Sequence, residues 1–332
     1  MDFHAEFFPK AFPAKISHRN KLMLVGSCFT EQIGTKLSQH KFTVMENPNG
    51  ILFNPVSISN AFISYATGKT YEEKDLFYHN ELWGSWQHHT KFSTIDKKKT
   101  LEEINISQQQ ANAFVKEADW ILLTLGSAFV YEASPLNHLP EEKGIQNMVV
   151  ANCHKIPADK FNRRLLDTTE VKNVLAVMMQ EVKKINPAVN FIFTVSPVRH
   201  LREGFIENNR SKAALIQAVH SLINDIDIFY FPAYELVIDD LRDYRFYAED
   251  LVHPNYAATN YVWEKFISTC IDEQSQQLMK EIAVIVAARN HKAFNPASEQ
   301  HKKFLQTNLE KVKSIIQKHP YIDLNAEATF FG

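Results

Sequence analysis

Two segments far apart in the sequence carry side chains that could act together on a carbonyl group. An apolar run at residues 22–25 leads into Gly26-Ser27-Cys28, and a helical pattern follows. A glycine permits a tight turn there, and a helix N-terminus stabilises negative charge on an attacking atom. Ser27 and Cys28 are both candidate nucleophiles, since a thiol is easily activated at such a position and a serine hydroxyl needs only an adjacent base. Alternatively, Ser27 caps the helix and Cys28 packs as a small apolar side chain.

The second segment supplies a candidate acid–base pair, Asp250 and His253. Because these residues are three apart, one turn of chain can bring both side chains to the same side. An aspartate that holds one imidazole nitrogen leaves the other as a general base. Taken alone, this spacing more often reflects a surface pair or a helix cap.

The elements that must position these groups follow a repeating pattern. Five apolar runs have the length and composition of buried parallel strands: Leu22–Val25, Phe42–Met45, Trp120–Leu125, Phe191–Val195 and Ile228–Phe231. Helical patterns lie between them at Thr30–His40, Thr168–Ile185 and Ser211–Ile226. This alternation predicts a doubly wound α/β sheet, in which ligands bind beyond the carboxyl ends of the strands.

Two regions interrupt the alternation. Residues 56–118 predict a helical insertion, and residues 271–332 predict a C-terminal helical extension with helices at Gln277–Ala288 and Glu299–Gln317. We therefore expect a main domain over residues 1–270 and the extension after it.

Composition excludes several classes of protein. The 332 residues are 45% hydrophobic and carry a formal net charge of −2, so the chain lacks the basic balance of a nucleic-acid or membrane-surface binder. Its three cysteines form no CxxC pair, and no stretch approaches the roughly 18 apolar residues of a membrane span. The N-terminal residues do not have the pattern of a secretory signal. We expect a cytoplasmic protein with no nucleic-acid or membrane partner, and the oligomeric state stays open.

Together the two reactive segments resemble the first and last sequence blocks of SGNH/GDSL hydrolases. They are most similar to the bacterial GSCFA family, although Thr30 stands where the family name has alanine. Further segments similar to that family are Asn47–Pro55, Ser85–His89, Thr124–Ala128, Val150–Lys155, Thr194–His200 and Tyr244–Tyr247. The likeness covers roughly residues 15–265. It implies a three-layer α/β/α SGNH (flavodoxin-like) fold with a parallel five-stranded sheet, whereas the activity of the family is poorly defined.

The resemblance also implies roles for individual residues. The GDSL pattern places Cys28 at the serine position, and a shift of one residue places Ser27 there instead. Asp250 and His253 match the acid and the base. Gly50 matches the glycine whose amide helps to bind the oxyanion.

The third sequence block departs from the SGNH pattern of Gly-x-Asn-Asp, because this chain has Gly126-Ser127-Ala128. Loss of one oxyanion donor typically costs about 2.7–4 kcal/mol in the transition state. Candidate substitutes are Ser127, Asn152 and His154, each of which could equally form a turn or a buried hydrogen bond.

Other polar and aromatic groups allow weaker interpretations. Arg199 and His200 follow the fourth strand and could hold a substrate carboxylate or phosphate, or bridge to neighbouring acids. Phe77, Tyr78, Trp83 and Trp86 could form a wall that stacks on sugars, or a satellite core. The histidines, which include the neighbours His88 and His89, show no metal-binding spacing, so we expect neither a metal nor another cofactor.

The sequence therefore predicts an ester hydrolase or acyltransferase that acts on an acylated small molecule or glycan. The alternative is a catalytically weak scaffold that binds a ligand without turnover, which the missing third-block asparagine suggests. A metal-assisted phosphoesterase is a third and weaker hypothesis.

Overall fold

The structure is a computed structural model that describes residues 5–133 and 148–332 of the chain. Its strands are β1 (Lys21–Gly26), β2 (Thr43–Glu46), β3 (Phe77–His79), β4 (Leu82–Gly84), β5 (Trp120–Leu125), β6 (Phe129–Ala133), β7 (Phe161–Leu165), β8 (Asn190–Val195) and β9 (Ile228–Tyr230). Its helices are α1 (Cys28–Gln39), α2 (Pro55–Thr67), α3 (Lys97–Glu117), α4 (Thr168–Ile185), α5 (Phe205–His220), α6 (Ala233–Glu235), α7 (Tyr256–Cys270), α8 (Glu273–Asn290), α9 (Glu299–Lys318) and α10 (Asn325–Phe331).

Five strands form one parallel sheet in the order β2-β1-β5-β8-β9. The prediction of these strands is confirmed, with bounds that differ by one residue at most. The central strand β5 is buried at all six positions, as expected for a strand covered on both faces. The order is the flavodoxin-like one, and it brings the ends of β1, β5 and β8 side by side.

Alternate residues of the strands face two separate apolar cores, because side chains along a strand point to opposite faces. Met23 of β1 and Phe193 of β8 belong to the core that α2, α4 and α5 cover. Leu24 of β1 and Ile192 of β8 belong to the core that α1 and α7 cover. The predicted three-layer α/β/α sandwich is thus confirmed.

The helix α5 is displaced by six residues from its predicted range. The pattern at Ser211–Ile226 is displaced, because α5 begins at Phe205 after Gly204, whose φ of 95° stops a helix from extending backwards. At the other end, the Asn224 side chain accepts hydrogen bonds from the backbone N–H groups of Ile226, Asp227 and Ile228. This local turn competes with continued helix.

The predicted helical insertion contains two helices and also a hairpin that was not predicted. The helix α2 and the C-terminal half of α3 pack on the sheet, since Phe62 and Val115 belong to its core. The antiparallel hairpin of β3 and β4 lies between these helices in sequence. A second antiparallel pair of strands, β6 and β7, follows the carboxyl end of β5.

The C-terminal extension forms helices α8, α9 and α10 around an apolar cluster of their own. The first two confirm the predicted helices, and α10 was not predicted. Glu327 of α10 is buried and accepts hydrogen bonds from Lys41 and Arg289 at 2.8–2.9 Å, which fastens the extension to the turn after α1. Within residues 5–133 and 148–332, no helix combines the length and apolarity needed to cross a bilayer.

Candidate active site

The turn between β1 and α1 is fixed on both sides of Gly26. Its N–H donates to Asn47 Oδ1 at 2.9 Å, and its carbonyl accepts from the N–H of Leu52 at 3.2 Å. A Cβ at this position would lie 2.4 Å from the backbone oxygen of Thr124, which explains why glycine is needed. The residues that follow therefore project from a defined point at the carboxyl end of the sheet.

Ser27 is the N-cap of α1 and is buried, with 3% of its surface exposed. Its Oγ accepts from the N–H of Phe29 at 3.3 Å and donates to Ser196 Oγ at 3.0 Å. Its hydroxyl is thus engaged both with the end of β8 and with the first turn of α1.

Cys28 is the first residue of α1, and its free thiol is half-buried. Burial and then the Glu31 carboxylate raise the pKa of Cys28, whereas the N–H groups of Cys28 and Phe29 and the Lys212 ammonium lower it. The net effect is a raised pKa. The resting group is therefore a thiol that needs a base.

Asp250 and His253 form the predicted contact, with 2.6 Å between Asp250 Oδ2 and His253 Nδ1. Since a carboxylate only accepts, Nδ1 carries the proton and Nε2 is the basic nitrogen. Asp250 Oδ1 also accepts from the N–H groups of Val252 and His253. These bonds, first that of the His253 N–H, lower the pKa of Asp250 to about 2. A fixed carboxylate thus orients an imidazole that is partly exposed.

The Cys28 turn and the Asp250–His253 turn lie at one end of the same helical layer. The helix α7 is capped by Asn255, two residues after His253. Its Thr259 donates to Gln32 Oε1 of α1 at 2.7 Å, one turn beyond Cys28. Cys28 and Val252 also pack against the same apolar cluster. The helices that follow the two segments therefore contact each other within their first turns.

Gly50 does not offer the amide that its assignment requires. Its N–H donates to the carbonyl of Asn47 at 2.7 Å, which closes a tight turn. Its φ is 80°, and a Cβ there would lie 2.3 Å from the Cβ of His89. The glycine is explained by this backbone geometry, and its N–H is not free to bind an oxyanion.

Gly126 and Ser127 are also engaged. Both N–H groups donate to the carbonyl of Phe53, at 2.8 and 3.1 Å. Ser127 Oγ accepts from the N–H of Phe129 and lies 3.2 Å from Ser211 Oγ. The Ser127 hydroxyl therefore holds the loop after β5 and is a poor substitute for the missing asparagine.

A pocket of about 600 Å³ opens beside this loop. It brings together four of the predicted binding residues, namely Ser127, Asn152, His154 and His200. Asn152 Oδ1 accepts from the N–H of His154 at 2.7 Å, and His154 Nε2 donates to the carbonyl of Ser85 at 2.9 Å. Burial lowers the pKa of His154 to about 4, so this ring is neutral at pH 7. Asn152 and His154 thus shape the pocket wall.

Arg199 and His200, which the sequence predicts to hold an anionic substrate group or to bridge to acids, lie in different environments. Burial, then the Lys212 and His253 charges, lower the pKa of His200 to about 3, so the ring is uncharged. The guanidinium carbon of Arg199 lies 4.2 Å from the ring centroid of Tyr247. The backbone N–H of Arg199 donates to the carbonyl of Val252. Arg199 therefore supports the turn that carries His253.

One residue at this end of the sheet was not singled out from the sequence. Lys212 of α5 is buried, and its Nζ donates to the carbonyls of Gly126 and Ser196 at 2.6 and 2.7 Å. A lysine in a helical pattern is normally taken to face solvent. The available signal was its spacing, because Lys212 shares a helix face with Leu215 and Val219, which are both buried.

The aromatic residues do not form an exposed sugar-stacking wall. Phe77 and Trp86 are buried and stack on each other at 4.0 Å between ring centroids, in a satellite core. Tyr78 and Trp83 form a separate, more exposed pair with 5.0 Å between centroids. Among the residues that the structure describes, no group of three or more His, Cys, Asp or Glu side chains is arranged to hold a metal ion.

Two family models match the sequence of this chain. The model of the GSCFA family matches residues 21–266. The chain belongs to the GSCFA family. A second model, for the C-terminal domain of GSCFA domain proteins, matches residues 282–332. In this GSCFA protein, the segment Gly26-Ser27-Cys28-Phe29 connects the end of β1 to the N-terminus of α1.

Two solved structures are similar to the GSCFA chain at 9% sequence identity and a TM-score of 0.38. They are a carbohydrate esterase family 3 protein from Talaromyces cellulolyticus and a mutant acetyl esterase with an acetate ion. Each comparison covers 79% of this chain and 99% of the other. No curated protein matches the sequence.

Proposed function

We propose that the protein is an ester hydrolase or acyltransferase in which Cys28 is the nucleophile and His253 is the general base. The observation that carries this proposal is the 2.6 Å bond between Asp250 Oδ2 and His253 Nδ1, on a turn whose following helix is bonded to the helix that Cys28 begins. It supplies the oriented base that a thiol of raised pKa requires.

The reaction proceeds in two halves. His253 Nε2 accepts the thiol proton while Cys28 Sγ attacks the ester carbonyl, and the resulting tetrahedral intermediate expels the alcohol, which takes the proton back from His253. This leaves a thioester on Cys28. Water or an acceptor hydroxyl then attacks with His253 as base again, which releases the acid or the new ester and restores the thiol.

The oxyanion needs donors that the engaged amide of Gly50 does not provide. As the first residue of α1, Cys28 has an N–H without an intrahelical acceptor. This N–H and the positive end of the helix would face the oxygen of the intermediate. The asparagine of the third SGNH block has no counterpart at Gly126-Ser127-Ala128, so the oxyanion has one side-chain donor fewer than in SGNH enzymes.

The substrate is an acylated small molecule or glycan held in the pocket beside the loop after β5. Its volume of about 600 Å³ falls in the range of small-molecule sites. Phe53, Phe129 and Ile156 give it apolar walls, and Asn152 gives it a polar group. Neither Cys28 nor His253 lines this pocket, and His200 is the lining residue whose pKa is lowered in part by the charge of His253.

Small p-nitrophenyl esters test the proposal. We expect turnover by the native chain, a loss of about 10²-fold or more in Cys28→Ala, and a loss below about tenfold in Ser27→Ala, which removes a helix cap and one hydrogen bond to Ser196. Wild-type turnover that persists in Cys28→Ala would contradict the assignment. Iodoacetamide should also label Cys28 faster than Cys270, because the latter is buried.

A binding module on the same scaffold is the second candidate, which the missing third-block asparagine favours. In that case the native chain would bind acetylated monosaccharides in calorimetry without releasing acetate. His253→Ala would then leave affinity unchanged and have no activity to remove.

A further inference from the structure

The pocket beside the loop after β5 carries charge of one sign. Its lining includes the cationic side chains of Lys155 and Arg202. None of the described residues that line it is an aspartate or a glutamate. The whole chain, in contrast, has 38 acidic and 36 basic residues, so the pocket does not share the charge balance of the protein. A cleft lined by charges of one sign concentrates ligands of the opposite sign.

Lys155 stands on a turn that the surrounding structure holds in place. The N–H of Ile156 donates to the carbonyl of Cys153 at 2.8 Å, and between them His154 and Lys155 have φ values of 49° and 61°. Left-handed backbone is costly for residues other than glycine, and such strain clusters at active sites and ligand clamps. The buried His154 ring anchors the turn, because its Nε2 donates to the carbonyl of Ser85 at 2.9 Å. The exposed Lys155 side chain therefore extends from a fixed backbone.

Arg202 stands on a second wall of the pocket, in the loop that follows β8. The backbone N–H of His200 donates to Asn208 Oδ1 of α5 at 2.9 Å, which fixes the start of this loop. Burial raises the pKa of Cys153 to about 11, and the Arg202 guanidinium opposes this rise. Because Cys153 belongs to the turn of Lys155, the charge of Arg202 acts on the wall that carries the other cation.

The charge of these two cations is not neutralised by an acid. Among the side chains that the structure describes, no carboxylate forms an ion pair with Lys155 or Arg202. The two histidines of the pocket add no charge near pH 7, because burial lowers the pKa of His154 to about 4 and that of His200 to about 3. The positive charge available to a ligand here is therefore that of the lysine and the arginine.

Uncharged groups beside the cations suit a sugar. Asn152 Oδ1 accepts from the N–H of His154, which leaves the Nδ2 amide to donate to a ligand. Phe53 and Phe129 line the same pocket and supply aromatic rings against which a sugar ring can pack. The pocket thus combines apolar surface, a neutral donor and two cations.

We propose that this pocket selects a sugar that carries an anionic group, either a carboxylate or a phosphate, and that Arg202 and Lys155 bind that group. A guanidinium binds either anion through two parallel hydrogen bonds, and an ammonium adds a point charge. The inference rests on the proposed function in that the pocket is taken to hold the substrate. The substrate class that follows is an acylated anionic sugar.

Calorimetric titration of the full chain with three sugars tests the inference. The probes are methyl glucuronide, which carries a carboxylate, glucose 6-phosphate, and the neutral methyl glucoside. At low salt we expect an anionic sugar to bind at least about tenfold more tightly than methyl glucoside, since a hydrogen bond to a charged group is worth about 1.5–3 kcal/mol. The tighter of the two anionic sugars identifies the group. Raising the salt to about 0.2 M should weaken only the binding of the anionic sugars, because both cations are exposed and screened.

Substitution of each cation separates recognition from a general loss of charge. Arg202→Gln and Lys155→Gln should each weaken binding of the preferred anionic sugar by about three- to tenfold and leave the affinity for methyl glucoside unchanged. Arg210→Gln is the matched control, because Arg210 is an exposed arginine of α5 that is paired with Glu207 and does not line the pocket. Equal affinities for the three sugars, no binding of any of them, or an equal loss in Arg210→Gln would overturn the inference. Both substituted side chains are exposed, so we expect these variants to fold, which circular dichroism checks.

Failure of this inference is distinguishable from failure of the proposed function. The three sugars carry no ester, so their binding reports on the pocket even in a chain that hydrolyses nothing. A native protein that turns over p-nitrophenyl acetate without preferring an anionic sugar would remove only the role of the two cations. A preference for an anionic sugar without any ester turnover would remove only the enzymatic proposal.

Discussion

Thr259 of α7 donates a hydrogen bond to Gln32 Oε1 of α1 at 2.7 Å, and this contact joins the two helices that the proposed catalytic segments precede. Cys28 begins one helix, and His253 stands two residues before the cap of the other. The relative position of the thiol and the imidazole therefore depends on how α1 packs against α7.

Breaking this contact should reduce activity more than stability. In Thr259→Val the side chain keeps its shape and loses the donor, and a neutral hydrogen bond contributes only about 0.5–1.5 kcal/mol to the free energy of unfolding. We expect ester turnover to fall about three- to tenfold, since small displacements of a base are costly. Ser59→Ala is the control, because it removes a similar bond to the carbonyl of Val174 on the far side of the sheet and should leave turnover unchanged.

The carboxylate of Asp250 should affect kcat because it fixes the tautomer of His253. Asp250→Asn keeps the shape but no longer requires the proton to reside on Nδ1, so Nε2 loses its role as base. We expect kcat to fall by about 10²-fold or more, with little change in the unfolding midpoint, because both side chains are about half exposed. Asp243→Asn, which removes an exposed aspartate bonded to Arg245, is the matched control. Equal kcat values in the two variants would contradict the role of Asp250.

Acid should destabilise the fold through its buried histidines. Burial lowers the pKa of His88 and His200 to about 3 and that of His18 and His154 to about 4, from 6.5. Between pH 6.5 and pH 4 the unfolded chain therefore binds more protons than the folded chain, so stability is present above pH 6.5 and is lost as the pH falls.

Urea unfolding at about pH 7 and about pH 4.5 measures this loss. We expect the free energy of unfolding to drop by at least about 2 kcal/mol over this range. His88→Phe, whose ring can still meet Tyr71 and Phe92 edge-on, should show a smaller drop than the native chain. The exposed His291 supplies the control, and His291→Phe should show the native dependence. A native free energy that does not change with pH would refute this account of the histidines.

The sequence predicted what local pattern controls and missed what tertiary contacts control. Continuous apolar runs marked β1, β5 and β8, because strands buried on both faces need apolar residues at every position. The start of α5 was displaced, since Gly204 and the Asn224 turn set its ends. The pairs of β3 with β4 and of β6 with β7 were missed, because their strands lack the continuous apolar run that marks a strand buried on both faces.

At the site, the sequence pattern identified the segments, but it did not show which groups are buried or already hydrogen-bonded. Cys28, Asp250 and His253 were found from their neighbours in sequence. The amide of Gly50 is occupied by the carbonyl of Asn47, and buried Lys212 bonds the carbonyls that follow β5 and β8. No periodicity within one segment shows such contacts.

The identity of the acylated atom is the most direct measurement. The native chain is mixed with p-nitrophenyl acetate, quenched in acid within the first turnover and digested, and the peptide that contains both Ser27 and Cys28 is fragmented in a mass spectrometer. We predict an acetyl group on Cys28 that is strongly reduced in His253→Ala. Ester hydrolysis that leaves the acetyl group on Ser27, or on neither residue, would contradict the proposal that the thiol at the head of α1 is the nucleophile.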